Sequence, residues 1–257
     1  MTMVKNRMSF EELSALVERG DLKQEQGDPA GALREYELAL REAPGDPMIW
    51  NNRGVALSAL GRNEEAIGSY RKATELRPGY WMAWFNLGKA TQRKANGMAG
   101  RPGRPAGGGM PPEKERALEQ AIEIYDRALS LNPAHPSTMN NKAVALRELG
   151  MYEEALSIYD ELLGFDPMYA HAWHNKGKLL ELLGLPEEAD RCLGVAASLN
   201  PEFACGPDRG GPAGKRHRGR REAAAKDESG EADVPEGEQT DLREVERPAR
   251  TRRKALR

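Results

Sequence analysis

The side chains most able to do chemistry in this 257-residue chain are two histidines and two cysteines. His171 and His174 stand three residues apart in "HAWH", so on a helix they would share one face. No acid or thiol ligand is near them in the sequence, and two histidines alone make a weak metal site. Cys192 and Cys205 are too few for a disulfide framework. We expect Cys192 to be a buried small residue and Cys205 an exposed thiol.

Sequence signatures of catalysis are absent. The chain has no phosphate-cradling glycine loop, no GxGxxG before a helix, no HExxH and no GxSxG. We therefore predict that the protein is not an enzyme and that it uses no metal and no cofactor.

Asparagine recurs at a fixed place in the chain. Each of four asparagines precedes a glycine, or in one case Ala143, by two residues: Asn52, Asn86, Asn141 and Asn175. Asparagine is a mediocre helix former, so its recurrence in phase needs an explanation. A carboxamide carries a donor and an acceptor, as a peptide group does, and can therefore hold an extended backbone without reading its sequence. The alternative is that these side chains form hydrogen bonds within the scaffold.

These asparagines belong to an internal repeat. The segments 51–70 and 140–159 are identical at 11 of 20 positions. Gly20, Gly54 and Gly88 are spaced by 34 residues, and Gly177 lies 89 residues after Gly88, which is two periods plus a 21-residue insertion. Trp50, Trp84 and Trp173 each lie four residues before the glycine of their repeat.

The motifs "WNNRGVAL", "WFNLGKAT" and "WHNKGKLL", each followed by A-x3-Y or a related pattern and a proline, resemble the tetratricopeptide repeat. The resemblance covers about three quarters of the chain and implies an all-α fold, a right-handed α-solenoid of helix-turn-helix units. We predict a lead-in at 1–12 and five repeats within 13–203, followed by a charged tail at 204–257. The repeats are 13–46, 47–80, 81–135 with a Gly/Pro-rich insertion at about 96–114, 136–169 and 170–203.

Local signals agree with helical hairpins. Ser9 with Glu12 predicts a capping box, and Asp28 and Asp46, each followed by proline, predict helix starts. Three glycines are expected to end the first helix of a pair: Gly61, Gly150 and Gly184. Small residues are expected where paired helices approach, Gly54 against Ala66 and Gly177 against Ala189. One hairpin cannot bury its own apolar face, so the repeats must stack.

In the resembled family, the first helix of each pair lines a concave groove, which implies a binding surface for an extended peptide or a partner protein. Phe85 and His174, with Met82 and Met139, are expected to form side-chain pockets there. Cations are expected to outnumber acids in the middle of the groove and to favour an acidic ligand: Lys89, Arg93, Arg147 and Lys178, against Asp21, Glu25 and Glu181. Chaperone-binding members hold a terminal carboxylate with lysines. Here those positions are Val17, Asn51 and Phe85, so we do not predict that ligand.

Two segments fall outside the repeat. Ten of the 16 residues from Gly97 to Pro112 are glycine or proline, which predicts a flexible surface insertion or, as an alternative, an arm that contacts a partner. The tail alternates basic and acidic blocks, which favours disorder. Its basic blocks, Lys215–Arg221 and Arg247–Arg257, leave nucleic acid or another polyanion open as a ligand.

A third possibility is weak self-association through the last repeat. No further helix obviously follows that repeat, so Leu193 and Ala196 are expected to face solvent, a second molecule, or tail residues such as Leu242 and Val245.

The start of the chain lacks the apolar core of a signal peptide, and no run approaches the length of a membrane span. We expect a cytoplasmic protein whose partner is an unidentified protein or peptide.

Overall fold

The computed structural model describes residues 8–98 and 110–204, which all belong to one compact unit, Met1–Asp208. Within these residues the chain forms ten α-helices and no strand. The helices are α1 (Phe10–Glu25), α2 (Pro29–Glu42), α3 (Pro47–Ala59), α4 (Asn63–Leu76), α5 (Trp81–Gly97), α6 (Pro112–Leu131), α7 (Pro136–Glu148), α8 (Tyr152–Phe165), α9 (Ala170–Leu182) and α10 (Pro186–Leu199). A short 3-10 turn, Pro201–Ala204, follows α10. The predicted all-α fold is confirmed.

The helix starts follow the predicted capping signals. Ser9 Oγ accepts a hydrogen bond from the amide of Glu12 at 3.1 Å, and the carboxylate of Glu12 accepts one from the amide of Ser9 at 2.8 Å. Asp28 and Asp46 cap α2 and α3 through their carboxylates, each with proline in the first turn. Four turns within helix pairs contain a glycine with φ between 72° and 82°, namely Gly27, which was not predicted from the sequence, and the expected Gly61, Gly150 and Gly184.

Within a pair, an aromatic ring of the second helix lies directly on the glycine of the first helix. A Cβ added to Gly54 would lie 2.5 Å from Cε1 of Tyr70, so the nearest atoms belong to this ring, which was not predicted from the sequence. The same contact joins Gly20 to Tyr36 and Gly88 to Tyr125. A Cβ added to Gly177 would instead meet Leu193 and, as expected, Ala189, whose carbonyl oxygen would lie 3.2 Å away. The tyrosine rings are buried and fill the space between the helices.

The repeated tryptophans join one repeat to the next. Each indole Nε1 donates a hydrogen bond to the carbonyl oxygen of the proline six residues earlier. These bonds run from Trp50 to Pro44 at 2.8 Å, from Trp84 to Pro78 at 2.9 Å and from Trp173 to Pro167 at 2.8 Å. Each bond fixes the chain that leads from one pair into the first helix of the following pair.

Successive pairs stack through both of their helices. The second helix of each pair packs on the first helix of the next, and α1, α3, α5, α7 and α9 also contact one another in that order. These five first helices therefore form one continuous inner layer of the right-handed solenoid. The inner face of this layer is called the groove below.

The third pair is longer than the others. α5 has 17 residues and α6 has 20, against 13 and 14 in the second pair, so Asn96 and Gly97 at one edge of the expected insertion are helical. Glu148 of α7 ties this extension to the fourth pair. Its carboxylate lies 3.2 Å from Lys114 Nζ and accepts a hydrogen bond from Asn96 Nδ2 at 3.4 Å. Residues 99–109, between the two helices, lie outside the described residues.

At the C-terminal end of the stack, the expected exposure of Leu193 and Ala196 is wrong. Ala196 is fully buried, and Leu193 is half-buried against Gly177 of α9. The residue after the repeated alanine is leucine or isoleucine in the first four pairs but an exposed aspartate, Asp190, in α10. The last second helix, α10, therefore has a charged, exposed residue at the position where the other second helices have an apolar residue. Cys205, the two basic blocks, Leu242 and Val245 lie outside the described residues.

Candidate peptide-binding groove

All four predicted asparagines lie on first helices and are half-buried. In the N-terminal half they belong to a chain of hydrogen bonds across three helices. Asn86 Nδ2 of α5 donates to Asn51 Oδ1 of α3 at 3.0 Å, and Asn51 Nδ2 donates to Asn52 Oδ1 at 3.3 Å. Asn52 Nδ2 then donates to Asp21 Oδ1 of α1 at 3.1 Å. Because these bonds join successive first helices, the side chains lie along the inner layer.

A second chain of hydrogen bonds repeats the pattern in the C-terminal half. Asn175 Nδ2 of α9 donates to Asn140 Oδ1 of α7 at 2.9 Å, and Asn140 Nδ2 donates to Asn141 Oδ1 at 3.4 Å. Asn140 is buried, as Asn51 is in the first chain. Neither of these linking residues was predicted from the sequence, although the doublets "NN" at 51–52 and 140–141 are a visible signal.

The asparagines therefore do form hydrogen bonds within the scaffold, as the alternative interpretation predicts, but these bonds use only part of each carboxamide. Within the described residues, Asn86 and Asn175 each donate one N–H to the preceding repeat, and the Oδ1 of each accepts no hydrogen bond. A carboxamide has two N–H donors and a carbonyl with two lone pairs. Each side chain thus keeps one donor and one acceptor for another molecule.

Phe85 lies in an aromatic cluster at the junction of the third and fourth pairs. The ring of His135 makes an edge contact with Phe85 at 5.1 Å and a tilted contact with Trp81 at 4.6 Å. Lys89 Nζ lies 5.4 Å from the centre of the Phe85 ring. The amide of Thr138 donates to Nδ1 of His135, and burial lowers the pKa of this histidine. A neutral imidazole therefore caps α7, because Nδ1 must be unprotonated to accept that bond.

His174 lies in a second cluster, at the C-terminal end of the groove. Its ring stacks on Phe203 with centroids 4.6 Å apart and planes inclined by 22°, and His171 meets the same phenylalanine edge-on at 5.1 Å. Burial lowers the pKa of both histidines. Their shared face, expected from the sequence, is thus an aromatic contact surface, and neither Phe203 nor His135 was anticipated as a groove residue.

The predicted cations lie on α5, α7 and α9. Arg93 and Arg147 are half-buried, and Lys178 is exposed with its Nζ 3.5 Å from a carboxylate oxygen of Glu181. Arg147 and Lys178 both act electrostatically on His174. Positive charge therefore accumulates beside the aromatic cluster at the C-terminal end.

At the opposite end of the groove the charge is negative. The hydroxyl of Tyr36 donates to Asp21 Oδ1 at 2.7 Å, and burial together with this carboxylate raises the pKa of the tyrosine.

Met139, expected in a groove pocket, is 3% exposed and packs in the core, so that expectation is wrong.

Other kinds of site find no support in the residues that the structure covers. No three His, Cys, Asp or Glu side chains of residues 8–98 and 110–204 are grouped closely enough to hold a metal ion. Cys192 is buried, as expected. None of the helices in these ranges is long and apolar enough to cross a membrane.

Family models of the tetratricopeptide repeat match residues 17–80 and 56–91, 114–179, and 170–203. Among curated relatives, the peroxisomal targeting signal receptor of Saccharomyces cerevisiae is 42% identical over 52 residues, 20% of this chain and 8% of the receptor. Tetratricopeptide repeat protein 33 of Danio rerio is 36% identical over 75 residues, 29% of this chain and 28% of that protein. The chain thus spans less than a third of the length of these relatives.

Solved structures share the fold. MamA from Desulfovibrio magneticus superposes with a TM-score of 0.61 at 16% identity, covering 74% of this chain and 96% of that one. YrrB, described as having an unusual peptide-binding site, superposes with a TM-score of 0.56 at 19% identity, covering 75% of this chain and 88% of that one. Proteins of this repeat class generally mediate protein–protein interaction. The repeated motifs, the stacked helical pairs and the matching family models place this chain in the tetratricopeptide repeat family.

Proposed function

We propose that this protein is a non-enzymatic adaptor whose repeats, residues 13–203, bind an extended segment of a partner protein in the groove. The observation that carries the proposal is the unused half of the carboxamides of Asn86 and Asn175, which lie on first helices and accept no hydrogen bond at Oδ1 within the described residues. A polar atom that stays partly accessible on an inner face can bond to a peptide group.

The spacing of the groove suits an extended backbone. Packed helices lie roughly 8–10 Å apart, and a strand rises about 3.3 Å per residue. One carboxamide per repeat would therefore meet about every third residue of the ligand. The names of two similar proteins, a targeting signal receptor and a protein with a peptide-binding site, are consistent with a peptide ligand.

Hydrogen bonds alone would bind weakly. At about 0.5–1.5 kcal/mol net for each bond, four asparagines contribute a few kcal/mol. Association costs on the order of 4–15 kcal/mol. The clusters around Phe85 and His174 must supply the difference, and we expect micromolar affinity.

The cations of α5, α7 and α9 favour an acidic segment. A cytoplasmic location remains a prediction.

Capture of partners from a lysate of the source organism tests the proposal with three full-length baits. They are the natural chain, Asn86→Ala with Asn175→Ala, and Asn51→Ala with Asn140→Ala. The two variants lose the same two inter-repeat hydrogen bonds, but only the first loses the groove carboxamides. We expect the first variant to bind its partners about tenfold or more weakly and the second to retain them, since each lost ligand bond costs about 1 kcal/mol.

Equal retention by both variants would contradict binding through the carboxamides. Equal loss by both would also contradict it, because binding would then depend on the inter-repeat hydrogen bonds that both variants lack and not on the groove carboxamides. Circular dichroism melting of all three proteins separates either result from simple unfolding.

A further inference from the structure

The residue before each first helix has a constant place in the repeat. Asp46, Tyr80, His135 and Tyr169 are the N-cap residues of α3, α5, α7 and α9, and Phe203 comes 34 residues after Tyr169. In the inner repeats, the helix that follows holds this residue in place. After Phe203 no helix begins within the described residues, which end one residue later.

Phe203 nevertheless points its ring into the groove. The turn that carries it is closed by Asn200, whose Oδ1 accepts a hydrogen bond from the amide of Glu202 at 3.0 Å. The phenylalanine ring stacks on His174 and meets His171 edge-on. The carboxylate of Glu202 acts electrostatically on His171. The aromatic residue of this turn thus contacts the last pair of groove-lining side chains. The acidic residue before it is exposed, and its carboxylate accepts a hydrogen bond from Asn200 Nδ2 at 3.5 Å.

The surface beneath this turn is equipped for more than a ring contact. Nε2 of His171 and Nδ1 of His174 are buried and find no hydrogen-bond partner among residues 8–98 and 110–204. Buried polar atoms without a partner are uncommon in folded proteins, and each one needs an explanation. Arg147 and Lys178 lie close enough to influence His174. The local chemistry offers aromatic faces, unused imidazole nitrogens and two cations.

We propose that Glu202 and Phe203 occupy, in cis, a terminal subsite of the groove that accepts an acidic residue followed by an aromatic residue from a partner. This inference rests on the proposed groove function and names the chemistry that the C-terminal end of the groove selects. The ligand's ring would replace Phe203 on His174, and its carboxylate would lie near His171, Arg147 or Lys178. The imidazole nitrogens would bond to its backbone.

The test uses the full chain and a peptide that copies residues 200–204, Ac-NPEFA-NH2, with Ac-NPEAA-NH2 and Ac-NPQFA-NH2 as controls. Binding is followed by NMR of the histidine ring protons. Phe203→Ala empties the subsite, whereas Phe203→Trp keeps it filled. If the natural turn fills the site nine-tenths of the time, Phe203→Ala should bind Ac-NPEFA-NH2 about tenfold more tightly than the natural chain or Phe203→Trp. Both control peptides should bind more weakly.

A second readout needs no peptide. Removing the ring relieves the burial of His174, so its pKa should rise toward the ordinary value in Phe203→Ala, although the neighbouring Lys178, Arg147 and His171 still oppose protonation. The pKa of His171 should rise as well, because the ring no longer buries it and the Glu202 carboxylate still favours its protonated form. His135, which has no contact with Phe203, serves as the internal control and should not change.

Equal binding of Ac-NPEFA-NH2 by the natural chain and Phe203→Ala, or equal binding of all three peptides, would overturn the proposal. So would signals of His171 and His174 that do not respond to the peptide. Failure of the groove proposal would give a different result. Partners from the lysate would then bind the variant with Asn86→Ala and Asn175→Ala as well as they bind the natural chain, while the peptide still bound at His174.

Discussion

Two of the four groove asparagines bond to the scaffold with one N–H and keep the rest of the carboxamide available. Asn86 and Asn175 illustrate this division, because their partners Asn51 and Asn140 are buried and they themselves are only half-buried. A hydrophobic residue at the same position would leave the buried Oδ1 of Asn51 or Asn140 without this hydrogen bond and would offer nothing to a peptide backbone. A charged residue would need a counter-ion. A neutral side chain with both donor and acceptor satisfies both requirements.

The contact between glycine and tyrosine within a pair also belongs to the residue scale. Gly54→Ala would place a methyl group 2.5 Å from the buried ring of Tyr70, so we expect a loss of about 1–3 kcal/mol from overpacking. Gly68→Ala in the neighbouring helix is the matched control. Nothing lies within 4 Å of its added Cβ, so alanine should stabilise that helix by roughly 0.5–1 kcal/mol.

Urea unfolding of both variants measures these opposite changes. A Gly54→Ala protein as stable as Gly68→Ala would show that the Tyr70 ring shifts at no cost. The fourth pair has Ala143 at the corresponding place beside a tyrosine, so some adjustment of the two helices is possible.

At the scale of elements, the lengthened α5–α6 hairpin is held to the fourth pair by a small polar cluster. The side chains of Lys114 and Glu148 are 16% and 17% exposed, so this ion pair is screened less than a surface pair. Asn96 adds a hydrogen bond to the same carboxylate. Breaking a buried pair by removing one partner is costly because the remaining charge loses its compensation.

We therefore expect Glu148→Ala to destabilise the chain by about 1–3 kcal/mol. Removing both charges, with Lys114→Met and Glu148→Met, should restore most of that loss, since apolar side chains of similar volume can replace a buried pair. The exposed pair Lys72–Glu75 is the control, and Glu75→Ala should cost less than about 1 kcal/mol. Similar losses from Glu148→Ala and Glu75→Ala in thermal unfolding would refute a special role for the hairpin contact.

At the scale of the whole molecule, all three described histidines lie at junctions along the groove. Burial is the main cause that lowers the pKa of His135, His171 and His174. The folded state therefore takes up protons less readily than the unfolded chain, whose histidines titrate near about 6.5. The stability contributed by neutral histidines is complete above that pH and is lost as the pH falls from there through the lower folded pKa values.

We expect the thermal midpoint to be steady between pH 8 and pH 7 and to fall as the pH is lowered below about 6.5, with each histidine contributing at most about 1.4 kcal/mol per pH unit. A separate loss should follow below about pH 4.5, because hydrogen bonding from Lys23 lowers the pKa of Glu35 in the folded state. A midpoint that is unchanged between pH 7 and pH 5.5 would contradict the first effect.

Much of the fold was predictable because helix signals act over a few residues and the repeat multiplies them. The 34-residue phase, the aspartate–proline starts and the glycine turns all appear in the structure where the sequence placed them. The same logic failed for Leu193 and Ala196, because pattern alone could not show that Ala196 is fully buried or that Leu193 packs on Gly177 of α9. It failed also for Met139, which is periodic with groove residues but turns into the core.

The sequence by itself thus determined the repeat family, the order of the helices and the phase of the asparagines, since these depend on local propensity and on periodicity. Only the tertiary structure decided which atoms meet. It placed Asn51 between Asn86 and Asn52, 35 and 1 residues away along the chain, and it brought Phe203 onto His174 across the last pair. Such contacts depend on how stacked helices are rotated and spaced, and that geometry results from packing over many residues at once.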